Sequence, residues 1–303
     1  MKKLISISVL TLFAINCSLA CDICGGGLGN TYTGLLPNFN KRFIGIRYHF
    51  NQLYTQLDIH GNRTAISNKE KYNTVELWGA WNVGSRWRVM AIVPYSQIQK
   101  YSYGSSEKNQ KSGLGDLNIS GLYNLINKSS NSFRQSLWVG IGVKLPVGTY
   151  NKNEYSNTNS PNIYQLGTGS TDFTTSINYD IRYNNLGLNT NMSYKINTEN
   201  KDDYLYGNKL TVSGSIYYNT VISESITLRP NVGLMHETQE KDHTMGYKID
   251  GTGGYNTNIN MGIEANIKNI ALGFTYQKPT KQEISQGRTQ LINKFLTHIT
   301  FTF

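Results

Sequence analysis

The sequence has no long apolar run beyond its first twenty residues. A membrane-spanning helix requires about 20 such residues, so a helical membrane protein is excluded. Glu, Ala and Leu are too scarce for a helical soluble protein, whereas 29 glycines and 21 tyrosines suit strands and turns. The formal charge is +10, but the basic residues are scattered and form no stripe, so nucleic acid is not expected as a partner.

Cysteine is also rare, with three residues in 303. The first of them, Cys17, lies in a segment that has the features of a signal peptide. Residues 1–3 are positively charged, residues 4–15 are apolar, and residues 18–20 are small where a signal peptidase cleaves. We expect cleavage after Ala20 and export into an oxidising compartment.

The other two cysteines, Cys21 and Cys24, would begin the mature chain, ahead of a glycine run. Four interpretations remain open. A Cys21–Cys24 disulfide is favoured at least as much as a soft-metal site for Cu(I) or Zn(II). Lipidation of Cys21 is disfavoured because Ser18 stands where a lipobox prefers Leu. Haem attachment is disfavoured because Gly25 replaces the His of C-x-x-C-H. No other cofactor is expected.

What the sequence does contain is period-2 alternation, from Phe43 to the last residue. In the final segment Phe295, Ile299 and Phe303 fall on one side of an extended strand, and Lys294 and His298 fall on the other. Eleven earlier segments show the same pattern. The alternation therefore predicts about twelve strands with an apolar face and a polar face.

The connections between these segments alternate in length. Two- or three-residue turns such as 184–185 and 268–269 are followed by long polar connections. Outer-membrane barrels show this asymmetry, with short periplasmic turns and long outer loops. An even strand count also places both termini on the periplasmic side. The long connections are 60–71, 99–112, 148–168, 197–208, 239–254 and 279–289.

The polar faces carry charges in nearly every segment, and a basic residue at mid-bilayer costs about 2–4 kcal/mol. These faces must therefore point inward, and the sheet must close because an open edge cannot lie unpaired in hydrocarbon. The predicted fold is all-β, a transmembrane antiparallel β-barrel over residues 41–303. Candidate residues of a lumen or solute path are Arg47, Arg88, Asp116, Lys144, Asp180, Arg182, Arg229, Glu264 and His298.

Two alternatives accompany these assignments. The inward charges are also expected if they only form a salt-bridge network that fills the lumen. His49 and His298 would face inward on neighbouring strands, so a catalytic His pair is conceivable, with packing as the favoured explanation. Aromatic residues near strand ends are expected to form interfacial girdles; they are Tyr72, Trp87, Tyr95, Tyr123, Tyr218, Tyr255 and Tyr276.

Three stretches, in this order, resemble a known family: 113–117 (GLGDL), 142–148 (GVKLPVG) and 166–173 (LGTGSTDF). They resemble the outer-membrane family named for the meta-pathway of phenol degradation, which is related to the long-chain fatty-acid transporters. The resemblance implies passage of hydrophobic or aromatic small molecules. It also implies that residues 21–40 plug the lumen. The ligand site of the fourteen-stranded fatty-acid transporters cannot be transferred to twelve strands.

We therefore expect an outer-membrane channel or transporter for a small solute, and not an enzyme. The alternative is a metal-linked outer-membrane protein that uses Cys21 and Cys24. A hydrolase is the least favoured function, because no phosphate-binding loop, HExxH or paired-carboxylate motif occurs. Expected partners are outer-membrane lipid, lipopolysaccharide and the solute. The terminal Phe303 resembles the signal that the barrel-assembly machinery recognises.

Overall fold

The structure is a computed structural model that describes residues 41–104, 108–154 and 162–303. The predicted signal peptide (1–20) and the segment 21–40, with Cys21 and Cys24, lie outside the described residues, so their roles stay predictions. Within the described part, no helix is long and apolar enough to cross a membrane.

The described residues form seventeen β-segments and one 3-10 turn, Lys152–Glu154. The β-segments are β1 (Phe43–Thr55), β2 (Asn68–Val83), β3 (Trp87–Ser102), β4 (Lys108–Leu114), β5 (Leu117–Ser129), β6 (Phe133–Leu145), β7 (Asp172–Tyr183), β8 (Leu186–Ile196), β9 (Tyr204–Leu205), β10 (Lys209–Tyr218), β11 (Thr220–Ser223), β12 (Ile226–Gln239), β13 (His243–Thr244), β14 (Tyr247–Lys248), β15 (Gly254–Ile267), β16 (Ile270–Ile284) and β17 (Gln290–Thr302).

Fourteen of these segments form one antiparallel sheet. The sheet closes because β1 pairs with β2 on one side and with β17 on the other, with Phe43 opposite Thr302. β4 and β5 both pair with β3 and are two halves of one interrupted strand. β10 and β11 both pair with β12 and form another. The fourteen segments therefore make twelve barrel strands, which confirms the predicted fold.

The two faces of the barrel wall differ as the alternation predicts. In β1, Ile44 and Ile46 are about half exposed on the outer face, while Arg47 and His49 are buried on the inner face. Girdle residues such as Trp87 and Tyr95 lie outside, but Tyr72 does not. Its ring is buried in the lumen against residues of a distant loop, so its assignment to a girdle was wrong.

The two ends of the barrel also differ. At the periplasmic end the strands are joined by turns, with Asn184 and Lys268 in the left-handed backbone conformation. At the outer end, β9, β13 and β14 form a small separate sheet, whose Tyr204 packs in one cluster with Ile249 and with Tyr150 of the β6–β7 connection. Pro230 lies in β12 without any shift of register towards β15. The interruption is instead in the neighbouring strand, between β10 and β11, which avoids a ladder bond that Pro230 cannot donate.

Candidate solute path

One half of the lumen, formed by the inner faces of β15, β16, β17, β1 and β2, is filled by long side chains; we call it the packed wall. Glu76 of β2 accepts a hydrogen bond from Arg47 Nε (2.8 Å) and contacts His49 Nε2 (2.9 Å). The Arg47 guanidinium also lies 4.4 Å from the Trp78 ring. Arg47 and Glu76 are directly paired residues of β1 and β2, so the sheet itself brings these opposite charges together.

The same row continues across the barrel to β15. His298 of β17 lies opposite Arg47, and its Nε2 is 3.0–3.1 Å from the Glu264 carboxylate, two strands away. The strand between them carries Gly273 at this position. A Cβ at Gly273 would overlap both His298 Nε2 and Glu264 Oε1, so the glycine leaves the gap that the ion pair occupies.

Two further predicted residues lie near the periplasmic end of the lumen. Arg88 of β3 is fully buried and donates to the Lys41 carbonyl (2.7 Å), with its guanidinium over the Phe43 ring. Arg229 of β12 donates to Asn219 Oδ1 (2.6 Å). Both side chains are held by neighbouring groups and have little accessible surface.

The three resembling stretches meet at the outer end of the lumen, in a cluster that we call the clamp: Asp116, Lys144, Thr168 and Asp172. Asp116 accepts from Lys144 Nζ (2.8 Å) and from the Thr168 amide (3.0 Å). Lys144 also pairs with Asp172 (2.7 Å). Asp116 further accepts from the Gly148 amide (3.0 Å), and a Cβ at Gly167 would lie 2.5 Å from its Oδ1. The glycines of the motifs therefore permit close approach to this carboxylate.

The clamp holds the outer connection between β6 and β7 inside the barrel. Ile163 and Leu166 of this connection pack against Leu53, Tyr72 and other inward residues of the opposite wall. The ring centroid of the neighbouring Tyr164 lies 4.0 Å from Lys111 Nζ. Burial of the Tyr164 phenol raises its pKa to about 12. Residues 162–168 of the connection thus reach from the clamp to the opposite wall at the outer end of the lumen.

The inner faces of β7, of β8 and of the outer part of β5 are not filled in this way, although the inward Leu122 of β5 and Trp138 of β6 nearby are buried; we call this surface the open wall. Its side chains are mostly short and polar, and most of them keep part of their surface accessible. In register, Gly140 of β6 stands beside Ser176 of β7, which stands beside Ser193 of β8. The partly exposed inward residues are Asn118, Ser120, Thr174, Ser176, Asn178, Asp180, Arg182, Asn189 and Asn191.

The charged residues of the open wall lie at its periplasmic end. Asp180 accepts from the Tyr217 hydroxyl at 3.1 Å, and the Tyr217 ring lies over Gly187, which has no side chain to block it. Arg182 lies opposite Arg134 in the ladder, so two guanidinium groups face the lumen near one carboxylate. This end of the open wall therefore has an excess of positive charge.

The structure thus separates the nine predicted residues into three groups. Arg47, Arg88, Arg229, Glu264 and His298 are packed, Asp116 and Lys144 belong to the clamp, and Asp180 and Arg182 face the open wall. His49 and His298 do not pair with each other, because each contacts its own glutamate. Among the described residues no cluster of three or more His, Cys, Asp or Glu side chains is arranged to hold a metal ion.

Sequence reasoning missed the short side chains of the open wall. The alternation places Ser176, Asn178, Asn189 and Asn191 on the inner face, but selection by charge does not make them candidates. Their small size, together with the glycines of β6, was the sequence feature that could have indicated accessible space in the lumen.

The family profile described as "Putative MetA-pathway of phenol degradation" matches residues 51–284, most of the chain. The chain belongs to this family. The matched range includes the clamp and the open wall. No curated protein sequence matches the chain.

Solved structures share the fold at low sequence identity. The COG4313 outer membrane channel from Pseudomonas putida F1 superposes with a TM-score of 0.67 at 13% identity, covering 87% of this chain and 96% of that one. The β domain of the Bordetella autotransporter BrkA superposes with a TM-score of 0.51 at 10% identity, covering 87% and 100%. This likeness establishes an outer-membrane β-barrel fold.

Proposed function

We propose that this family member is a narrow outer-membrane channel that passes small polar solutes along the open wall. The observation that carries the proposal is the contrast within the lumen. The inward side chains of β7, from Thr174 to Arg182, all keep accessible surface, whereas Arg47, His49 and Asn51 of β1 on the opposite side are buried. A twelve-stranded barrel lies between side-chain-filled small barrels and open porins, so half-filling leaves a narrow path.

The chemistry of the open wall favours solutes with hydroxyl or carboxylate groups. Ser176, Asn178 and Asn191 offer hydrogen-bond donors and acceptors along the path. Arg134 and Arg182 offer positive charge at the periplasmic end. The family's connection with phenol degradation suggests oxidised aromatic compounds, which carry such groups. A bare hydrocarbon would meet little apolar surface along β7.

The decisive test is to narrow the path at its middle. We expect that Ser176→Trp lowers both single-channel conductance in planar bilayers and uptake of 4-hydroxybenzoate into liposomes, because the indole would project into the open half of the lumen. Purified full-length protein is compared with the variant in the same lipid.

Ile177→Trp is the matched control, since Ile177 is the next residue of β7 and is 46% exposed on the lipid-facing side. Its conductance and uptake should equal those of the unmodified protein. If the unmodified protein has neither conductance nor uptake, the proposed function is wrong. If Ser176→Trp conducts normally, solutes do not follow the open wall.

A further inference from the structure

A row of aromatic and basic side chains crosses the outer surface of the barrel above its apolar band. In register, Tyr54 of β1 lies beside Lys69 of β2, Lys69 beside Tyr101 of β3, and Tyr101 beside Lys108 of β4. These positions share the outward face with Val75 and Val93, which are exposed. The row therefore faces away from the lumen, towards the surrounding membrane.

Positive charge gathers around the tyrosines of this row. Lys71 Nζ and Lys108 Nζ lie 5.5 and 5.6 Å from the Tyr101 ring centroid. The Arg63 guanidinium lies 4.0 Å from the Tyr54 ring. We call Arg63, Lys69, Lys71, Tyr101 and Lys108 the outer basic patch.

No carboxylate neutralises this patch among the described residues of β1 to β4. Glu70, which lies between Lys69 and Lys71 in the sequence, points into the barrel, where it accepts from Thr55 and Tyr72. Glu107, next to Lys108, lies outside the described residues. None of the three lysines forms an ion pair within the described part of the chain. An unneutralised group of cations on one face attracts an anionic partner.

The position of the patch along the barrel axis indicates which part of the membrane it contacts. An apolar band about 25 Å tall, crossed by strands tilted about 40°, takes roughly ten residues of strand. Counted from Trp81 and Trp87 at the periplasmic girdle, the band ends near Lys71 in β2 and Gln97 in β3. Lys69, Tyr101 and Lys108 therefore lie at the level of the outer-leaflet headgroups.

The patch also has a shaped recess. Lys69, Lys71, Tyr101, Ser102 and Tyr103 line an open cleft of about 280 Å³. We propose that this cleft binds the phosphorylated sugar headgroup of lipopolysaccharide, with the lysines on the phosphates and the tyrosines against the sugar rings. Basic pockets at the membrane surface recognise phosphorylated headgroups in this way.

The test measures binding of defined lipids to the purified full-length barrel by native mass spectrometry. The ligands are lipid A with both phosphates, lipid A without phosphates, and phosphatidylglycerol. We expect the unmodified protein to retain bisphosphorylated lipid A at least tenfold better than the other two. The variant Lys69→Gln/Lys71→Gln/Lys108→Gln should lose that preference, and added salt should weaken the unmodified complex.

The control variant, Lys248→Gln/Lys278→Gln/Lys281→Gln, removes the same charge from exposed lysines on other strands and should bind lipid A normally. Equal binding of all three lipids by the unmodified protein would overturn the proposal. So would an equal loss of lipid A by both triple variants, because either result means that net charge alone is sensed. Migration of the folded band on unheated gels verifies that each variant forms the barrel.

Discussion

The packed wall and the open wall belong to one closed sheet, yet they use their inward positions differently. On the packed wall Glu76 and Glu264 each have a basic partner from another strand. On the open wall most inward residues are Ser, Thr or Asn. Asp180 lies nearer the periplasmic end than the clamp and accepts a hydrogen bond from Tyr217. Long side chains that find partners fill the space at the packed wall, and short side chains leave part of the open wall accessible.

This difference separates two tasks that inward polar residues perform in a barrel. Charged pairs between registered strands hold side chains in fixed positions and exclude water. Short neutral side chains leave room for a solute and still offer hydrogen bonds to it. Substitutions on the two walls should therefore affect different measurements, stability for the packed wall and permeation for the open wall.

The largest expected effect on stability comes from Glu76→Gln. This change removes the charge that compensates Arg47, whose side chain is fully buried. Breaking a buried pair at one partner typically costs about 3–5 kcal/mol. The measurement is the temperature at which the folded band is lost on gels after heating.

Asn178→Ala on the open wall is the comparison for Glu76→Gln. Asn178 is partly exposed and makes no ion pair among the described residues, and substitutions at such positions typically change stability by about 0.5 kcal/mol or less. If both variants lose the folded band at the same temperature, the distinction between the two walls fails.

A smaller loss of stability is expected from Gly273→Ala. The added methyl group would overlap the His298–Glu264 pair, and overpacking of this kind costs about 1–3 kcal/mol. Gly214→Ala makes the same change in β10, where the nearest atom to the new Cβ is Thr190 Cγ2 at 3.7 Å. We expect that only Gly273→Ala lowers the melting temperature. Equal melting of both variants would show that the gap at Gly273 is not needed.

The fold was predictable from the sequence because each strand lies between two different environments. Charged residues such as Arg47 and Lys144 alternate with apolar neighbours, and this alternation predicted the inner face, the turns and the closure. Filling of the lumen was not predictable in the same way. The alternation predicts that Glu264 and Asn178 both point inward. It does not predict that Glu264 meets a histidine two strands away while Asn178 keeps part of its surface accessible.

Contacts made by the outer loops were also beyond sequence patterns. Tyr72 has the position of a girdle residue, but it is covered by Ile163, which lies far along the chain.

The clamp is an intermediate case. Its Asp116 and Thr168 stand in the stretches that resemble the family, but only the folded chain shows that these stretches meet at one carboxylate.

The smallest effect on stability and the sharpest effect on permeation are expected at the periplasmic end of the open wall. Asp180→Asn removes the carboxylate between the guanidinium groups, and Arg182→Gln removes one of those groups. We expect the reversal potential in a KCl gradient to shift towards anion selectivity in Asp180→Asn and towards cation selectivity in Arg182→Gln. Both melting temperatures should remain close to that of the unmodified protein, because the amide oxygen that replaces the carboxylate can still accept from Tyr217, and Arg182 is partly exposed. Shifts of opposite sign place both side chains beside the moving ions, whereas the absence of any shift in both variants would place the path elsewhere in the lumen.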